Sequence, residues 1–243
     1  MTIQGLAIDT DVEESVTDTL GGGSYIKSTG LYPVTVDMAY LSKTVNGALA
    51  LNLHFKAVED NSMIRQTIYM TSGDKKGNKN HYFDKNKKKR LLPGMITADQ
   101  IATITAGKSM AALTPEQKTI KLWDYESQAE KPTQVPVLTE ILGQPLLVGL
   151  HKIRDNKVIK DSNNKYIRQA AEKFLNEMDK VFYPDGFSVT EKTAEAAEAL
   201  FHHKWQDKFG PDYVNDKYVE IESEEDDDED ALPSAESTAS LFG

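Results

Sequence analysis

The chain has 243 residues, no cysteine and a formal net charge of −10, with 39% hydrophobic and 27% charged residues. That length allows one domain of moderate size with appendages, and so charged a composition points to a modest core with polar ends. Disulfides, thiolate nucleophiles, iron–sulfur ligation and cysteine zinc sites are excluded together, and no stretch approaches the ~20 apolar residues of a membrane helix.

In chain order, residues 1–23 are polar and acidic and end in Gly21-Gly22-Gly23, which predicts a flexible arm. Their acidic start lacks the basic flank and apolar run of a signal peptide, so a protein kept in the cytosol is expected. Residues 30–40 then carry a strand-like run through Leu31, Val34, Val36 and Met38, and Leu49, Leu51, Leu53 and Phe55 alternate strictly with polar or small neighbours. Between them Asn46-Gly47 predicts a type I′ hairpin turn, because both residues tolerate positive φ. A third run, residues 63–71, alternates Ile64, Gln66, Ile68 and Met70, completing an antiparallel meander.

Residues 74–90 form an excursion with eight basic residues, Lys75, Lys76, Lys79, Lys85, Lys87, Lys88, Lys89 and Arg90, against Asp74 and Asp84, a local charge of +6. His81, Tyr82 and Phe83 lie inside it, and Tyr69 ends the strand before it. Lysines beside aromatic rings are what single-stranded nucleic acid requires, cations for phosphate and π-faces for bases. A capping-box pattern at Thr97-Ala98-Asp99-Gln100 predicts a helix starting at Thr97, with Ile101, Ile104, Lys108, Ala111 and Ala112 following. Residues 102–109 satisfy the loosest phosphate-loop pattern, but they fall inside that helix rather than between a strand and a helix, which argues against nucleotide hydrolysis.

Residues 120–125 and 145–154 read as two further strands, separated by a Pro-punctuated connection at 131–136. In the first of them Trp123 and Tyr125 are expected to face inward and Asp124 and Glu126 outward. Residues 168–181 are helix-prone, and residues 190–209 give the clearest helix, with Ala197, Leu200, Phe201, Trp205 and Phe209 on one stripe. No carboxylate pair forms a nuclease motif, and His54, His81, His151 and the adjacent His202-His203 lack metal-ligand spacing; neither catalytic residues, metal nor cofactor is expected. Ten acidic residues and no Lys or Arg follow Val219, so residues 1–219, with 28 basic and 28 acidic residues, are neutral as a whole. The run containing Asp226, Asp227, Asp228, Glu229 and Asp230 cannot compact against its own repulsion, and Leu241 and Phe242 beyond it read as an apolar docking motif. Such a tail can also occupy the chain's own basic surface as a tethered phosphate mimic.

Three strands, an excursion, a helix and two strands is the order of an OB-fold: a mainly β architecture with added α, a five-stranded barrel with a helix between strands 3 and 4. The expected organisation is therefore an arm over 1–23, an OB domain over 24–170, a helical extension over 171–219 with a dimer contact as one role, and a disordered acidic tail over 220–243. Together with the segment Gly30-Leu31-Tyr32-Pro33-Val34 and the Asn46-Gly47 hairpin, these features resemble the OB-fold single-stranded-DNA-binding proteins of tailed bacteriophages. The resemblance implies sequence-independent coating of ssDNA during phage replication and recombination in the host cytoplasm, without enzymatic activity. It places DNA on the excursion and replication or recombination proteins on the acidic run and Phe242. Tails of that family commonly finish on the Phe, whereas here Gly243 follows. The alternatives are an accessory protein that binds a host enzyme through its tail and touches no nucleic acid, and a nuclease or NTPase dependent on Lys108.

Overall fold

The computed structural model describes residues 26–124, 127–161 and 165–221. Among the described residues the fold is mainly β: one eight-stranded sheet, a separate two-stranded hairpin and three α-helices. The predicted meander is present as β1 (Gly30–Lys43), β2 (Leu49–Ala57) and β3 (Met63–Tyr69), paired antiparallel in sequence order. Leu51, Leu53 and Phe55 are buried as their alternation requires, and Ile64, Ile68 and Met70 complete the same apolar face. In β1 a register shift between Val36 and Met38 turns the inward parity from Val34 and Val36 to Ala39, so Met38 is only half-buried. The β1–β2 turn falls where expected but is not type I′. Only Gly47 has positive φ, at 75°, and its N–H bonds the Thr44 carbonyl at 2.8 Å.

The excursion supplies β4 (His81–Phe83) and β5 (Lys89–Leu91), and helix α1 (Pro93–Ala106) follows. Thr97 does not open this helix. Pro93, pre-set for the first helical position, begins it four residues earlier, and the Thr97 hydroxyl bonds back to the Pro93 carbonyl at 3.1 Å. Ala98, Ile101 and Ala102 press α1 into the core. Gly107, at φ 65°, ends it, and Lys108 is ion-paired to Glu140, so the phosphate-loop match is the C-cap of a helix.

β6 (Glu116–Asp124) and β7 (Ala129–Val137) form a hairpin, so the expected connection over 131–136 is a strand. Its prolines are tolerated because β7 meets β1 only at Val137, leaving its other edge open. The facing of β6 is the reverse of that expected at Trp123 and Asp124, while Tyr125 and Glu126 lie outside the described residues. Ile120 and Leu122 set the inward parity, Asp124 shares it, and Trp123 is 52% exposed.

β8 (Pro145–Lys160) and β9 (Tyr166–Phe182) form a long antiparallel hairpin, and β10 (Val214–Asp216) adds to β8 in parallel. The helix expected over 168–181 is thus a strand, and residue 170 lies within it rather than at a junction. Ladder pairing along β8 overrides the helix propensity of its Ala, Glu and Lys residues. The helix expected over 190–209 is broken into α2 (Val189–Thr193) and α3 (Phe201–Lys208). Of the expected stripe only Trp205 is buried; Leu200 and Phe201 are exposed.

β3 and β9 lie at opposite ends of the path β3-β2-β1-β8-β9, and no backbone ladder joins them. Gln66 spans the gap instead: its amide donates to the Asn176 carbonyl at 3.0 Å and accepts from the Met178 N–H at 3.0 Å. The sheet therefore curls until its ends meet through one side chain, without closing into a five-stranded barrel. Among the described residues, no helix is long and apolar enough to cross a membrane.

Glu191 explains the break between α2 and α3. Its carboxylate accepts from the Ser188 N–H and hydroxyl at 2.8 and 2.9 Å, closing a capping box, and from the Leu200 and Phe201 N–H groups at 2.9 and 2.8 Å. Burial pushes this carboxyl up, but the hydrogen bonds from Ser188, Phe201 and Leu200 pull it down from 4.5 to about 2. Its contribution to stability is present in full above pH 4.5 and is lost as pH falls from there towards about 2. Glu191→Gln is expected to flatten the pH dependence of the urea midpoint across that window; an unchanged profile would show that the carboxylate does not carry the junction.

Candidate nucleic-acid interface

The excursion is anchored at its root. The Asp74 N–H bonds the Asn46 carbonyl at 2.8 Å, Ser72 and Lys79 bond each other through backbone and hydroxyl at 2.9 and 3.0 Å, and the Leu49 N–H bonds the Thr71 hydroxyl at 2.8 Å. The β1–β2 turn is packed tightly against this root: a Cβ on Gly47 would lie 2.0 Å from the Asp74 carboxylate. Beyond it, β4 and β5 pair Tyr82 with Arg90 and Phe83 with Lys89. Asp84 closes the tip by accepting from the Asn86 and Lys88 N–H groups at 2.9 Å each and from Arg90 Nε at 3.2 Å.

Between this hairpin, β3, the start of α1 and β9 lies an open groove of ≈ 980 Å³. Tyr69, Tyr82, Lys89 and Arg90 line it, with Lys180 on the opposite wall and Gln66 and Gln100 also reaching it. Tyr69 is 57% exposed and Tyr82 47% exposed, so both rings are open to a ligand. Gly94 permits α1 to start against β3, since a Cβ there would stand 2.2 Å from the Tyr69 carbonyl oxygen. The carboxylates on the β9 wall are already engaged. Glu177 pairs with Lys217 at 2.5 Å, and Asp179 pairs with Lys180 at 3.0 Å and accepts from Trp205 Nε1 at 2.7 Å.

Of the predicted DNA-binding residues, the structure brings four together in the groove: Tyr69, Tyr82, Lys89 and Arg90. His81 and Phe83, which contact each other edge to face at 5.9 Å, and Lys75, Lys76, Lys79, Lys85, Lys87 and Lys88 lie outside the lining. Among the described residues, none of the seven excursion lysines forms an ion pair; Arg90 alone does, with Asp84. His81 is held below its usual range by loss of solvation and then by the charges of Lys89 and Lys79. The predicted partner-binding residues Asp226, Asp227, Asp228, Glu229, Asp230, Leu241 and Phe242 lie outside the described residues.

Sequence reading did not find Lys180, Gln66 or Gln100 as groove residues. Lys180 falls within the helix expected over 168–181, and only pairing of β9 with β8 carries it to the groove that Tyr69 lines. Among the described residues, no group of three or more His, Asp or Glu side chains is arranged to hold a metal ion. The chain matches no protein-family model and no curated protein.

Proposed function

We propose that this protein is a sequence-independent single-stranded-DNA-binding protein without enzymatic activity, of the OB-fold kind encoded by tailed bacteriophages. The observation that carries the reading is the groove where Tyr69 and Tyr82 stand open beside Lys89 and Arg90, at the base of a hairpin whose lysines have no ion-pair partners among the described residues. Each base stacked on such a ring contributes about 1–3 kcal/mol, and each phosphate neutralised releases condensed counterions. Since every base has a π-face and lysine reads only charge, binding there is indifferent to sequence.

Although the sheet stays open, its curl over β1, β2, β3, β8 and β9, bridged at the ends by Gln66, supports the OB-like part of this reading. The protein acts during replication and recombination in the cytoplasm of an infected host. Its acidic run at 224–230 competes with DNA for the groove, and Leu241 and Phe242 dock replication or recombination enzymes. The tail leaves the body beside β8, where the Val219 backbone is held by the buried Asn156 amide through two bonds of 2.9 Å. Truncation after Val219 preserves that anchor. It is expected to tighten oligo-dT binding at low salt, with a smaller gain as salt screens the tail. Equal affinities of the full chain and residues 1–219 would contradict competition by the tail.

A further inference from the structure

We infer that the bound strand continues past the first groove into a second subsite on α3, where Lys204 and Lys208 hold its phosphates. This rests on the ssDNA reading above and extends the footprint to a face of the molecule that the excursion does not reach.

A second groove of ≈ 410 Å³ lies against α3, lined by Phe201, Lys204, Trp205, Lys208 and Phe209. It shares Asp179 and Lys180 with the first, so the two grooves meet at that point of β9. The single acid at the junction is engaged: the two oxygens of Asp179 take the Lys180 ammonium at 3.0 Å and the Trp205 indole N–H at 2.7 Å. Lys204 and Lys208, by contrast, are exposed and form no ion pair among the described residues. They stand four residues apart on α3, hence about 6 Å along its axis and on one face. Like charges so placed disfavour the helix, and an anion between them reverses the sign of that interaction.

The floor beneath them is aromatic. Phe201 is exposed, Phe209 is half-buried with the Lys208 ammonium 4.8 Å from its ring centre, and Trp205 is fixed under both by its bond to Asp179. Two cations without an ion-pair partner among the described residues, beside the exposed Phe201 ring, repeat the chemistry of the first groove, a charge for phosphate and an apolar face for a base. Lys180 at the junction lets one strand satisfy both grooves without crossing an unpaired acid.

The test is the Lys204→Ala/Lys208→Ala double variant of the full chain, titrated with oligo-dT of about 5 and about 20 nucleotides at several salt concentrations, lengths near the lower end of and beyond the usual range of one OB-type site. For the long oligonucleotide the slope of log K against log salt is expected to fall by about 1.4, from two lost phosphate contacts. The short oligonucleotide, held at Tyr69 and Tyr82, should bind as to the unmodified chain. An unchanged slope for the long oligonucleotide overturns the second subsite. So does a variant that binds more tightly and no longer responds to truncation after Val219, which would assign the groove to the acidic tail. Failure of the unmodified chain to bind either oligonucleotide would remove the ssDNA reading itself.

Discussion

Replacing Lys85, Lys87, Lys88, Lys89 and Arg90 together with Gln is expected to weaken oligo-dT binding by roughly three orders of magnitude at 0.1 M salt. With each cation on a phosphate, five lost contacts flatten the log–log salt dependence by about 3.5. The side chains are exposed, and the hairpin tip retains its bonds from Asn86 and Lys88 to Asp84, so the fold should survive. Tyr69→Ala should behave differently. It removes a stacking surface and no charge, so affinity should fall by about 1–3 kcal/mol at every salt concentration with the slope unchanged. Fluorescence anisotropy titrations across salt separate the two patterns. Binding that persists in the five-fold variant with its full salt slope would place the phosphates elsewhere.

Trp205→Ala is expected to cost about 3–5 kcal/mol of stability, the usual range for removing a large buried aromatic. The indole is buried, stacks on His151 with ring centres 5.3 Å apart, and donates to Asp179 at 2.7 Å. It also lies so close to β8 that a Cβ on Gly149 would stand 3.1 Å from the ring. Phe209 and Tyr213 close over the same imidazole at 4.6 and 5.0 Å, and burial holds His151 below its usual range despite Asp179 and Glu177 nearby. This cluster fixes α3 and the following segment to the sheet, so its loss should be felt globally. Trp205→Phe, which retains a ring but not the N–H, should fall between. Urea denaturation measures both; a cost below about 1 kcal/mol for the alanine variant would mean that α3 is not an integral part of the fold.

The meander and the groove were legible to different degrees. The alternation of Leu49, Leu51, Leu53 and Phe55 imposes a strand because only period two turns all four to one face, where the last three are buried and Leu49 packs half-buried at the edge, and Gly47 marks the turn because the backbone there needs positive φ. Tyr69, Tyr82, Lys89 and Arg90 were visible because charge and aromatics coincide locally. β9 was not legible. Its residues are mostly exposed until Val181 and Phe182, so no apolar period announces the strand, and its partner β8 alone decides the conformation. The error carried Lys180 away from the groove and hid Gln66, whose role depends on β9 returning alongside β3. The break after α2 was equally hidden, since Glu191 acts by capturing N–H groups nine and ten residues further on.

The groove between β3, the basic hairpin and β9 is where the proposed binding of single-stranded DNA stands or falls. The most direct measurement is a gel-retardation titration of labelled oligo-dT with the full chain at low salt, repeated as salt is raised. A retarded complex that dissociates steeply with salt is the predicted result. Free oligonucleotide at every protein concentration at low salt would contradict the account.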